Sequence, residues 1–181
     1  MEKTRANIHN GQQANGNANQ ARQRMEAQLW LAVKTTSIAK PSVFCASVNG
    51  GEKNWLDYAA AGEVFAQRGD HSSAACAYGV AAQVCNEPMQ VGMLRLSAAD
   101  EYTKAAEIAK DPAKAKNLVE RAASHLAMAG KCFRQAEEHG MAVHAHSRAS
   151  VALQSVGKHR EATTQKSHAE RLMPMVEAAL P

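Results

Sequence analysis

From Trp55 to Pro88 the chain reads WLDYAAAGEVFAQRGDHSSAACAYGVAAQVCNEP, and this stretch limits the fold more than any other. Small and apolar residues recur at helical spacing on both sides of Gly69–Asp70. Tyr58, Ala61, Gly62 and Phe65 precede it; Ala74, Ala77, Tyr78 and Ala81 follow it. The pattern predicts two helices joined by a tight turn. Gly69 is free to take the positive φ that ends the first helix, and Asp70 or Ser72 offers an oxygen to cap the second. Gly62 and Ala74 let two helix backbones approach closely, with Phe65 and Tyr78 filling the space beside them. Such a hairpin cannot bury its faces alone, so it demands neighbouring helices.

The rest of the chain extends that pattern. With 181 residues there is enough chain for one domain with a sizeable core. Alanine dominates, β-branched residues are few and aromatics make up only 4%, a composition that suits closely packed helices and not sheets. Residues 1–18 are rich in Asn, Gln and Gly, too poor in apolar side chains to offset ordering, and are expected to be a disordered polar tail. Residues 19–181 are expected to form a single all-helical domain. A first helix is predicted over Asn19–Ala39, with Met25, Leu29, Ala32 and Val33 on one face and Trp30 beside them. Pro41 stops it. A loop over 41–53 follows, with Val43–Val48 as an alternative short strand and Gly50–Gly51 as a turn.

After the hairpin, Pro88 suits the first turn of a new helix, which should run to about Lys110 with Met89, Met93, Leu96, Ala99, Tyr102, Ala106 and Ile108 towards the core. Asp111–Pro112 breaks it and starts another, carrying Leu118, Ala122, Leu126, Ala129 and Phe133. Gly140 is the next expected break, a helix over 141–156 ends at Gly157, and a last one runs from His159 towards Ala179, bent or ended near Pro174. The sequence thus predicts an all-α fold of about seven helices joined by short turns, each antiparallel to its neighbour, as a short solenoid or a bundle.

The chemistry-bearing residues form no recognised catalytic or metal motif. Six of the eight histidines lie between His125 and His168, but His144 and His146 are two apart and point to different sides of a helix; a helical metal site wants ligands at i and i+4. The four cysteines contain no C-x-x-C pair and read as small buried thiols, with a reducing compartment as the corollary. A cysteine nucleophile would need a histidine within hydrogen-bond reach; Cys132 with His125 or His144 is the nearest approach to one. Asp100–Glu101 and Glu137–Glu138 read as solvated helix faces. No enzymatic activity and no cofactor are expected.

Net charge is +4, unevenly spread: residues 1–40 carry +4, residues 41–110 carry −3 and residues 111–181 carry +3. No block of basic residues calls for nucleic acid. Lys110, Lys114, Lys116 and Arg121 read as solvated. No apolar run approaches the roughly 20 residues of a membrane span, and the first residues carry no apolar core of a secretory signal.

The hairpin resembles a tetratricopeptide repeat. Tyr58, Ala61, Gly62, Phe65, Gly69, Ala74, Tyr78 and Ala81 fall in the order and spacing of that family's signature. Ala61 departs where the family usually has leucine, and Asn86 where it often has proline, Pro88 coming two residues late. A weaker match covers Val143–Val176 through Ala149, Ser150, Leu153, Gly157, Ala162, Ala169 and Pro174, with Lys166 at a position that expects an aromatic. The resemblance covers less than half the chain.

It implies a protein–protein interaction module, an adaptor or scaffold, whose concave surface takes a peptide or a partner helix. In the resembled family the first helix of each hairpin lines that surface. Carried over, its positions are Leu56, Ala59, Glu63, Ala66 and Gln67 on the better match, and His144, Ser147, Val151, Gln154 and Ser155 on the weaker one. A cytoplasmic location fits this reading. The polar leader suggests an alternative: a bacterial secreted effector of the type III kind, or a cargo chaperone. The chain's own helices, including the one bearing Leu29 and Trp30, are the competing occupants of the surface.

Overall fold

The turn at Gly69–Asp70 forms as expected. In the computed structural model, which describes residues 54–179, Gly69 takes φ +76° and closes the first helix, and the Asp70 carboxylate accepts from the Ser73 N–H at 3.1 Å to cap the second. Six helices follow one another: α1 Trp55–Gln67, α2 His71–Val84, α3 Pro88–Glu107, α4 Pro112–Gln135, α5 His139–Ser155 and α6 His159–Ala178. Every regular element among the described residues is an α-helix. The expected count was seven. The polar tail over 1–18, the helix over 19–39 and the loop over 41–53 lie outside the described residues.

The helix boundaries follow local chemistry. Asn54 caps α1 by accepting from the Leu56 N–H, Pro88 occupies the first turn of α3, and Asp111 caps α4 directly before Pro112. Gly157, at φ +82°, closes α5. One expectation is corrected. The break before α5 falls at Ala136–Glu138 instead of at Gly140, and it is Glu137 that takes the positive φ, 62°, an uncommon conformation for a residue with a Cβ. Pro174 lies inside α6, which continues to Ala178.

Each helix packs most extensively on the one before and the one after it. The core is a chain of clusters built mainly from alanine. Tyr58 of α1 joins Ala81 and Ala82 of α2 and Leu94 of α3. Ala75, Ala99, Tyr102, Leu118, Leu126 and Ala149 link α2 to α5. Phe133 of α4 joins Ala142 and Ala145 of α5 and Leu172 of α6. Small side chains let the helices come close, and the few rings sit where a glycine makes room. A Cβ on Gly62 would lie 3.0 Å from the Tyr78 ring, one on Gly92 2.6 Å from Phe133, and one on Gly130 2.6 Å from His146. Two core expectations on α3 fail: Met93 is 43% and Ile108 65% exposed. The buried face of α3 instead runs through Gly92, Leu94, Ala98, Ala99, Glu101, Tyr102 and Ala105. No helix among the described residues is long and apolar enough to cross a membrane.

Candidate functional site

Two features stand out, one on the surface and one beneath it. The surface feature begins with the positions singled out from the sequence. Leu56, Glu63 and Gln67 on α1 are exposed, as are His144, Val151 and Gln154 on α5; Ser147 and Ser155 are exposed too, while Ala59 and Ala66 are half-buried. No hydrogen bond or ion pair among the described residues joins the α1 set to the α5 set. The helix that relates them is α3. It shares the Tyr58–Leu94 cluster with α1, and its Asp100 accepts from Arg148 of α5 at 2.5 Å. Arg148 lies four residues after His144 and three before Val151, so these three share one stripe of α5. Met93, Ser97 and Asp100 form the matching stripe on α3. The ion pair is half exposed and contributes little to stability, about 1 kcal/mol at most, but it sets the two stripes side by side. Leu56, Met93 and Val151 therefore give α1, α3 and α5 one exposed apolar side chain each, at 52%, 43% and 67% exposure.

The second feature is a polar seam where α2, α3 and α4 meet. Glu101, read from the sequence as solvated, is buried. Its carboxylate accepts from His71 Nδ1 and from Lys104 Nζ, both at 2.7 Å. Burial alone would push this carboxyl up; the two hydrogen bonds outweigh it and hold it below the usual carboxylate range. Lys104, one turn on, was a legible partner. His71, thirty residues away on another helix, was not.

One residue along, the Tyr102 ring is buried, and its hydroxyl shares a 3.4 Å hydrogen bond with the Cys76 thiol. Burial, helped by that contact, pushes the phenol up to about 12. The His125 ring lies 5.5 Å from the Tyr102 ring and packs where Gly79 leaves space. Arg95 Nη1 donates to His125 Nδ1 at 3.5 Å, and the Arg121 guanidinium lies 5.9 Å from the Tyr102 ring centre. Burial, then the charges of Arg95 and Arg121, drive the His125 imidazole down to about 4. Burial also pushes the Cys132 thiol up, against the pull of Arg95. Around Tyr102 the seam is thus a set of neutral donors and acceptors beside two permanent cations, and one residue away it holds the Glu101 carboxylate between His71 and Lys104. Cys132 makes no hydrogen bond with a histidine among the described residues, and Cys76 bonds tyrosine.

The remaining histidines have structural surroundings. His146 is buried and donates from Nδ1 to Gln165 Oε1 at 2.8 Å, tying α5 to α6. Its neighbour His144 faces out, as a spacing of two requires. Among the described residues no three His, Cys, Asp or Glu side chains converge to hold a metal ion. No protein-family model, curated protein or solved structure matches this chain.

Buried neutral histidine makes stability depend on pH. An unfolded histidine titrates near 6.5, whereas His125 in the fold titrates near 4. Between those values the unfolded chain binds the extra proton, so stability is complete above about 6.5 and falls as the pH drops towards 4. His146, lowered by burial against its bond to Gln165, acts in the same direction. Urea melts at pH 7 and pH 5 are expected to show the folded state losing stability at the lower value. His125→Asn should flatten that slope; an unchanged slope would remove His125 as its source.

Proposed function

We propose that the chain is a non-catalytic interaction module, built as a short tetratricopeptide-like stack of antiparallel hairpins, that binds a peptide or a partner helix on the face formed by α1, α3 and α5. The observation that carries this reading is the exposure of Leu56, Met93 and Val151, one on each of those three helices, together with that of Glu63, Gln67, His144 and Gln154. Isolated apolar side chains on a polar face suit an extended ligand whose own side chains alternate, and the polar neighbours offer hydrogen bonds to its backbone. Support for the stacked arrangement comes from the burial of Tyr58, Ala61, Gly62, Ala74 and Ala81 on the better match, and of Ala149, Ser150, Leu153, Ala162 and Ala169 on the weaker one. Further support is the packing of each helix mainly on its sequence neighbours. A reducing, cytoplasmic setting accords with the free thiols of Cys76, Cys85 and Cys132.

The paired substitution Glu63→Lys with Gln67→Lys tests the face. Both positions are exposed, so the stability should stay within about 0.5 kcal/mol of the parent. Affinity capture followed by mass spectrometry, run in parallel on parent and variant, should show a protein retained by the parent and lost by the variant. Identical captures would move the site elsewhere. The type III effector or chaperone reading rests on the Asn/Gln-rich composition of residues 1–18; secretion genes beside the coding sequence would favour it.

A further inference from the structure

We propose that Arg95, Arg121 and His125 form a binding site for a phosphate group, separate from the α1–α3–α5 face. Three observations carry it. Both guanidiniums reach the same pair of rings: Arg95 bonds His125 and Arg121 lies over Tyr102, with the two rings 5.5 Å apart. Neither arginine has a carboxylate partner; the ion pairs among the described residues involve other groups. And Arg95 Nε is buried with no hydrogen-bond acceptor. A buried donor left unpaired is costly, and an arginine cannot shed its charge to escape that cost. The neighbours that might serve as internal anions stay protonated near neutrality: the Tyr102 phenol titrates near 12, and burial pushes the Cys132 thiol up.

Two cations without a counter-ion match the charge of a phosphate dianion. Guanidinium is also the side-chain group whose planar fork fits phosphate oxygens. Arg121 is exposed, at the edge of a cavity of about 500 Å³ that Glu120 and Glu161 also line, while Arg95 and His125 are half-buried. With Nδ1 accepting from Arg95, the neutral His125 carries its proton on Nε2. Other basic groups lack this combination. Lys110 and Lys114 beside the start of α2 line a cavity of about 450 Å³, but Asp70 and Asp111 share it and supply the opposite charge.

The test is a titration of the full chain with sodium phosphate at pH 7, against sodium chloride and sodium acetate at equal ionic strength. Phosphate at 10 mM should raise the melting midpoint by at least about 2 °C over chloride, saturably, with acetate giving a smaller rise. In the same titration the Arg95 Nε–Hε resonance should shift. Arg121→Gln, at an exposed position, should keep the fold and weaken phosphate binding at least about tenfold, the loss of one charge-assisted contact. O-phosphoserine in place of inorganic phosphate distinguishes an esterified ligand from the free ion by which binds more tightly. Equal midpoints in phosphate and chloride, or undiminished binding by Arg121→Gln, would overturn the proposal.

Discussion

Phe133→Ala is expected to destabilise the protein by about 3–5 kcal/mol, the largest effect of any single truncation in the described residues. Phe133 is the only large side chain among them that is wholly buried. Its ring lies against Gly92 of α3, and it belongs to one cluster with Ala142 and Ala145 of α5 and Leu172 of α6, against which the half-buried Met89 and Leu96 of α3 pack. Four helices therefore meet in the cluster that holds the ring. Alanine cannot refill that volume. The expected loss is a large share of the roughly 5–15 kcal/mol that holds a domain of ordinary stability. Phe133→Leu, which keeps most of the volume, should cost markedly less. Urea melts monitored by circular dichroism decide the matter: a loss below about 1 kcal/mol for the alanine variant would mean that the ring does not fasten α4 to its neighbours.

The positions most legible in the sequence are those where one residue acts on its own backbone. Gly69, Asp70, Pro88, Asp111–Pro112 and Gly157 each announced a boundary, because capping and positive φ are local effects. Glu137 shows the limit of that logic. It occupies a left-handed position although Gly140 stands three residues on, because the buried run beginning at Ala142 fixes where α5 must start. On α3 the spacing of large apolar residues pointed to Met93 and Ile108 as core. The packed face is set instead by small residues, Gly92, Ala98, Ala99 and Ala105, which spacing alone undervalues.

The polar seam was the least legible feature of all. Glu101 reads as solvated beside Asp100, and nothing local indicates that His71, on another helix, will meet it. The same holds for Arg95 with His125, thirty residues apart. Of the ten positions carried over from the resembled family, Ala59 and Ala66 are half-buried and the other eight are exposed. What the helical period could not supply was α3: its Met93 stripe and the Asp100–Arg148 pair that joins it to α5 depend on which helix lies beside which.

Gly62→Leu is expected to cost about 2 kcal/mol or more. An added Cβ would stand 3.0 Å from three carbons of the Tyr78 ring, closer than such atoms settle, and the remaining carbons of leucine have nowhere to go unless the ring moves. Tyr78 is half-buried, so the ring has an outward path, but taking it uncovers apolar surface and pulls α1 from α2. Gly62→Ala separates the two terms. It meets the same 3.0 Å contact with a single methyl, and alanine regains up to about 1 kcal/mol of helix propensity over glycine, so its net effect should be small. The combination Gly62→Leu with Tyr78→Ala gives the leucine the space of the ring. If close approach is the cause, the double variant should be more stable than the sum of the single losses predicts, by about 1 kcal/mol or more. Thermal melts by circular dichroism read the parent, the three single variants Gly62→Leu, Gly62→Ala and Tyr78→Ala, and the double variant. An unchanged midpoint for Gly62→Leu, or strictly additive losses in the double variant, would show that the glycine is not what lets α1 and α2 meet.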